Sequence, residues 1–365
     1  MDESFERAKE FFLAGVRHYE AGRYEQAHAQ FEASLSFVPQ RASTLMNLGA
    51  TRIQLGRFEE AAEVLEEATE VDPSDAQAWA HLATALAELG RHEDALRCAD
   101  KALALDAALA STWSVRGMLL RDLQRPQEAV ESFRKAIERG ADAPLHEYYI
   151  AAITGEAAPS QTPARYVQTL FDSYADGFED HLVEVLRYGA PGILAGGLPQ
   201  REWRSALDLG CGTGLMGEQL KPRVARLVGV DLSANMVGRA RERGLYDDVV
   251  QADVTGYLAS AKEASFELVT AADVFNYIGE LAPVFDAVRR VLAPDGWFAF
   301  TVELTVAGAD VELQPSMRYA HSRGYVESLA TRCDFEVAAL AEHPIREDQR
   351  QPIPGLFAWL RNPRT

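Results

Sequence analysis

The chain has 365 residues, enough for two cores of ordinary size, and its 47% hydrophobic and 25% charged residues are those of a globular protein. The formal net charge of −19 is spread along the chain, with 16 Lys and Arg against 27 Asp and Glu in residues 1–160 and 20 against 28 in residues 161–365. This balance argues against unaided binding to a polyphosphate backbone, and no run approaches the roughly eighteen apolar residues of a membrane span.

The opening segment MDESFERAKE lacks the basic start and apolar run of a secretory signal. Cys98, Cys211 and Cys333 are scattered, without disulfide framework or zinc spacing, which points to reduced thiols in a cytoplasmic protein. No group of acids and histidines has ligand spacing, so no metal is expected.

The first half repeats with a period of 34 residues. Ala27, Ala61, Ala95 and Ala129 share one phase, and Gly15, Gly49, Ala83 and Gly117 share another. Phe31, Leu65, Ala99 and Phe133 make a mostly large column, as do Phe11, Leu45, Trp79 and Trp113. Two antiparallel helices per unit explain the pattern: small residues let the backbones approach, and large ones fill the space between units. Gly56 and Gly90, in LGRFEEA and LGRHEDA, stand where one helix must stop before the next. The columns resemble the tetratricopeptide repeat (TPR), in four units over about residues 8–143. That resemblance implies an all-α solenoid with a concave groove, here mostly apolar or neutral (Phe12, Val16, Met46, Ile53, Met118). Such a groove suits a protein partner, a second copy or the chain's own catalytic domain.

LHEYYIAAITGE (145–156) reads as a capping helix, giving a first domain of residues 1–156. Pro159 and Pro163 make residues 157–164 a linker, and residues 165–365 form the second domain.

In that second half, ALDLGCGTG (206–214) is an apolar strand running into a glycine-rich turn, a weak signal alone. LVGVDLS then supplies a second strand ending in Asp231, about twenty residues past the glycines, where a nucleoside ribose would meet a carboxylate. VVQADV places Asp253 at the end of a third strand. FELVTAADVFNYI (266–278), LAPDGWFAFTVE (292–303), FEVAAL and GLFAWL continue the strand series.

This order resembles class I S-adenosylmethionine (SAM) dependent methyltransferases over roughly residues 165–365. The resemblance implies an α/β Rossmann-like fold with seven strands, SAM as cofactor and S-adenosyl-L-homocysteine as product. It also implies that Asp208, Gly210, Cys211, Gly212 and Gly214 meet the methionine part of SAM. Asp231 with Leu232 and Met236 would meet the ribose side, and Asp253 with Val254 the adenine. FDSYADGFEDHLVEVLRYGAP (171–191) and RYAHSRGYVESL (318–329) resemble bacterial proteins described as predicted TPR-containing methyltransferases. Within the first of these, Tyr174 and Phe178 are candidates for the methionine end of the cofactor site.

Methyl transfer from a sulfonium needs proximity and alignment, and a protonated acceptor also needs a base. The candidate bases are His321, His181 and Glu303. Asn276 and Tyr277 after strand four, and Arg318 and Tyr319 beside His321, are candidate acceptor contacts. DVFNY lacks the paired prolines of amino-methylating nucleic-acid enzymes, which together with the charge disfavours a nucleic-acid acceptor. The expectation is a methyltransferase acting on a small molecule, the repeats serving as interaction or assembly scaffold. A protein or peptide recruited by the TPR groove is an alternative, and a TPR adaptor with a degenerate SAM fold is a second.

Overall fold

A computed structural model describes residues 3–156, 158–174, 186–306, 308–348 and 350–363. The chain divides into two compact units, Met1–Ile153 and Thr154–Thr365.

In the first unit helices pair in sequence: α1 (Glu3–Glu20) with α2 (Tyr24–Phe37), α3 (Ala42–Gln54) with α4 (Phe58–Val71), α5 (Ala76–Glu88) with α6 (His92–Leu105), and α7 (Ala110–Asp122) with α8 (Pro126–Glu138), followed by α9 (Ala143–Thr154). Three of the four pairs meet where the repeat columns place a small residue against a large one. A methyl group on Gly15 would lie 2.6 Å from the Phe31 ring, and one on Gly49 2.3 Å from Leu65. Gly117 stands against Phe133 in the same way, at 2.4 Å. In the third repeat the matched positions are Ala83 and Ala99, both fully buried. The turns inside the pairs need a left-handed residue, and Gly22, Gly56 and Gly90 supply it at φ of 69°, 72° and 71°. At the same phase in the fourth pair stands Gln124, at φ 58°. Among the described residues no helix is long and apolar enough to cross a membrane.

The second unit holds a nine-stranded sheet. β1 (Trp203–Leu209), β2 (Val224–Asp231), β3 (Asp248–Gln251), β4 (Phe266–Ala271) and β5 (Leu292–Leu304) run parallel in the order β3-β2-β1-β4-β5. These parallel strands have near-continuous buried runs because both sheet faces are covered. On one face Phe275, Phe285, Phe298 and Phe300 pack together, and on the other Trp203, Leu194 and Trp359 do. β8 (Glu336–Asp348) and β9 (Gln351–Arg361) close the far edge, β9 antiparallel to both β5 and β8.

These are the seven strands expected; two short ones, β6 (Val311–Leu313) and β7 (Tyr319–His321), extend the sheet to nine. Glu303 pairs with Gly355 of β9 and with Ala320 of β7. β7 therefore stands on the side of β5 that β4 leaves after Ala271. The order reverses between β1 and β4, and open α/β sheets bind ligands beyond the carboxyl ends of strands at such a point.

Candidate active site

A cavity of about 950 Å³ opens at that reversal, wholly within the second unit. Its floor at one end is the glycine turn after β1. Gly210 and Gly212 take left-handed φ of 63° and 53°. A methyl group on Gly210 would meet Val274 at 2.4 Å, whereas one on Gly212 would meet nothing within 4 Å. The backbone at Gly212 is thus bare toward the cavity it lines. Beside it the Thr213 hydroxyl is buried and has no hydrogen-bond partner among the described residues.

Asp231, at the end of β2, also lines the cavity. Its carboxylate accepts the Gly212 N–H at 2.8 Å and the Ser233 N–H at 2.9 Å. Burial raises its pKa against those bonds. Asp253 caps the helix Val254–Ser260, accepting the Gly256 N–H at 2.8 Å and the Thr255 hydroxyl at 2.5 Å, which lowers its pKa. Cys211, Leu232 and Val254 complete this end. A bare glycine backbone, an unpartnered hydroxyl and two carboxylates are donors and acceptors suited to a nucleoside bearing an amino acid.

Over this end lies α10 (Ala164–Tyr174), which contributes Val167, Leu170 and Phe171 to the lining. The Asp172 carboxylate accepts the Ser233 hydroxyl at 2.5 Å, tying the helix to the turn that follows Asp231. The side chain of Tyr174, and Phe178 and His181 entirely, lie outside the described residues.

The other end of the cavity is charged. Arg346 of β8, with 3% of its side chain exposed, donates to both oxygens of Asp273 at 2.7 and 2.8 Å and to Glu303. Asn276 donates to Asp273 at 3.1 Å and to Glu303 at 3.5 Å from behind the wall. Burial pushes the Asp273 carboxyl up to about 6, against the pull of Arg318. Arg318 lines the cavity with its guanidinium 3.7 Å from Glu303 and 5.9 Å from the centre of the Tyr277 ring. Tyr277 also lines it, and burial pushes its phenol up to about 12, so it stays neutral.

Five expected contacts are not part of the lining. Asp208 is buried beneath the glycine turn, accepting the Tyr246 hydroxyl at 2.7 Å and the Thr270 hydroxyl at 2.8 Å. Burial pushes its carboxyl up to about 7. Gly214 opens the helix Leu215–Leu220 and faces the Tyr246 ring. Met236 is fully buried in the helix Ala234–Glu242. Asn276 is behind the wall, as described. Tyr319 packs on Gly279 and donates its hydroxyl to the Pro159 carbonyl at 2.5 Å.

His321 requires a larger correction. Its ring is fully buried, stacked on Tyr325, with Nε2 3.0 Å from the Gly279 carbonyl oxygen. Burial pushes its pKa down to about 4, and it does not line the cavity. The imidazole is a neutral core group, not a base facing an acceptor. Glu303 does line the cavity, but as the ion-pair partner of Arg346. Sequence reasoning overlooked Thr213, Asp172, Asp273 and Arg346. Asp273 follows β4 directly and could have been found there; Arg346, 73 residues further on, has no local signal.

Known proteins bear the same stamp. A family model described as a methyltransferase domain matches residues 207–300, and tetratricopeptide repeat models match residues 18–83, 52–116 and 110–139. The malonyl-[acyl-carrier protein] O-methyltransferase of Enterobacter lignolyticus is 30% identical over 208 residues, 54% of this chain and 74% of that protein. The ubiquinone biosynthesis O-methyltransferase of Paracidovorax citrulli is 28% identical over 152 residues, 38% of this chain and 64% of that protein. A solved structure of the Burkholderia thailandensis 1,6-didemethyltoxoflavin-N1-methyltransferase is 17% identical over 57% of this chain and 93% of that one, with a TM-score of 0.45. The chain belongs to the S-adenosylmethionine-dependent methyltransferases. It is a methyltransferase that carries tetratricopeptide repeats.

Proposed function

We propose that the enzyme methylates an oxygen atom of a small molecule, with the repeats acting as an interaction or assembly scaffold. The observation that carries this reading is the cavity. At about 950 Å³ it stands at the upper end of the range for small-molecule pockets, roughly 300–1,000 Å³. That volume has room for a nucleoside cofactor and a second compact molecule. Its two polar ends differ in chemistry, and its lining also includes the apolar Val274 and Ile278. Both curated relatives described above are O-methyltransferases.

In this reading Gly212, Thr213 and Cys211 hold the amino-acid part of SAM, Asp231 and Leu232 the ribose, and Asp253 and Val254 the adenine. SAM supplies a methyl group on a positively charged sulfur, which any aligned nucleophile can take. The chain's own contribution is alignment and exclusion of water, with Asp172 fastening α10 across the nucleoside end. Asp273, Glu303, Arg318 and Tyr277 face the acceptor. The test is incubation of the full chain with methyl-labelled SAM and bacterial lysate, followed by separation of metabolites from protein. Label in the metabolite fraction is expected. Label confined to protein would overturn the small-molecule reading in favour of a protein acceptor recruited by the repeats.

A further inference from the structure

We propose that the acceptor atom is a carboxylate oxygen, that Arg318 is the residue holding the carboxylate, and that the product is a methyl ester. This rests on the reading of the cavity given above and narrows it to one class of acceptor. The starting point is the unequal state of two arginines. Arg346 is almost fully buried and donates to both Asp273 oxygens and to Glu303. Arg318 faces the same cavity with 28% of its side chain exposed. Its nearest carboxylate oxygen is 3.7 Å away, beyond hydrogen-bond reach, and it lies against the Tyr277 ring. A planar fork of N–H donors, largely desolvated and near Glu303 yet making no side-chain hydrogen bond among the described residues, matches a carboxylate in shape and charge.

Charge disfavours a dianion. The guanidiniums of Arg346 and Arg318 face the two carboxyls of Asp273 and Glu303, which leaves no cation to spare for a second negative charge. A doubly charged phosphate would face two carboxylates across a few ångströms, whereas a carboxylate adds a single charge beside Arg318. Phe171, whose ring meets that of Tyr277 at 5.5 Å, and Ile278 beside it leave the rest of the acceptor a non-polar surrounding.

The second argument concerns protons. A hydroxyl or ammonium acceptor must lose one, and the candidate bases among the described residues are committed elsewhere. His321 is in the core with its Nε2 bonded to Gly279. Asp273 and Glu303 both accept hydrogen bonds from the buried Arg346 guanidinium, which engages the oxygens that a proton would take. A carboxylate, with an ordinary pKa of about 4, arrives already ionised. Its oxygen lone pair forms the new O–CH₃ bond as the methyl–sulfur bond breaks and its electron pair stays on sulfur. One negative and one positive charge cancel, giving a neutral ester and a neutral thioether, and no proton is released.

Two measurements test this. The full chain is incubated with tritiated-methyl SAM and a bacterial small-molecule extract, and the products are treated with mild alkali. Release of the label as volatile methanol, the hydrolysis product of a methyl ester, is expected. Alkali-stable label in small molecules would overturn the carboxylate proposal while leaving small-molecule methylation standing; no label in small molecules would overturn both. Independently of turnover, phenylacetate and phenylacetamide are titrated into enzyme saturated with S-adenosylhomocysteine and followed by ligand-observed NMR. Phenylacetate should bind in preference to the amide. Arg318→Gln should weaken phenylacetate by at least about tenfold, as loss of a charge-assisted fork would, with Arg318→Lys intermediate. S-adenosylhomocysteine affinity should stay within about twofold of the parent in both variants, since Arg318 is not among the residues assigned to the nucleoside end. Equal binding of acid and amide, no binding of either, or unchanged phenylacetate binding by Arg318→Gln would overturn the assignment.

Discussion

Replacing Arg346 by methionine keeps the approximate length of the side chain and removes the guanidinium that donates hydrogen bonds to both Asp273 and Glu303. Side-chain exposure is 3% for Arg346, 3% for Glu303 and 15% for Asp273, so solvent cannot make up the loss. Breaking a buried ion pair from one side costs about 3–5 kcal/mol, because the remaining charge is stranded. Here two carboxylates are stranded together, which places the expected loss at the upper end of that range. The sign of its pH dependence follows from Asp273. Burial holds its folded-state pKa at about 6, above the ordinary carboxylate value, so the folded protein disfavours its ionised form. Without Arg346 that pKa rises further. The penalty is therefore larger at about pH 8 than at about pH 6, because the stranded carboxyls of the variant take up protons as pH falls toward the parent Asp273 value. Urea titrations followed by tryptophan fluorescence can measure it in a Trp79→Phe, Trp113→Phe background, which confines the signal to Trp203, Trp297 and Trp359 of the second unit. Adding Asp273→Asn and Glu303→Gln to Arg346→Met should restore most of the stability. A loss under about 0.5 kcal/mol, or one equal at both pH values, would refute the idea that this trio is a coupled buried charge cluster.

Asp231→Ala should weaken S-adenosylhomocysteine binding about ten- to a hundredfold, from loss of a charge-assisted hydrogen bond worth roughly 1.5–3 kcal/mol. Unchanged affinity by calorimetry would remove Asp231 from the cofactor site. Gln124→Gly should stabilise the repeat unit, because a left-handed non-glycine residue costs about 1–2 kcal/mol and glycine's added chain entropy returns only about 0.5–1. A lower melting temperature in scanning calorimetry would show that the Gln124 side chain makes a compensating contact.

The repeats were legible because their signal is local and is stated four times. A glycine in one column and a phenylalanine sixteen residues later, Gly15 with Phe31 and Gly117 with Phe133, already describe the close approach of two helices. The strand order and the acids at the ends of β2 and β3 were legible for the same reason: each lies within a few residues of the turn that defines it. What the motif did not reveal is which side chains face the ligand. Asp208, Gly214 and Met236 belong to motif segments yet turn toward Tyr246 or the core. The segment RYAHS misled in a more instructive way. Three polar residues within four positions suggested a common purpose, but Tyr319 and His321 are two apart on a strand and so share a face. That face meets Gly279, the Tyr319 ring packing on it and the His321 Nε2 reaching its carbonyl. Arg318 precedes the strand and is left at the cavity.

The two ends of the cavity also differ in how the chain builds them, and this bears on how such an enzyme can acquire its acceptor. The nucleoside end comes from three consecutive strand-to-helix turns, so a short continuous pattern can specify it. The charged end draws Asp273 from the loop after β4, Glu303 from β5, Arg318 from the β6–β7 connection and Arg346 from β8. These meet only when β7 takes the place beside β5 that β4 vacates and β8 closes the edge through β9. No hydrogen bond or ion pair described above joins this charged cluster to Asp231 or Asp253. Substitutions there can therefore alter acceptor recognition with little effect on the cofactor, as expected for sites that share no partners. For the same reason acceptor chemistry is the property least legible from the glycine motif, and the one for which long-range contacts such as Arg346 with Asp273 are the decisive observation.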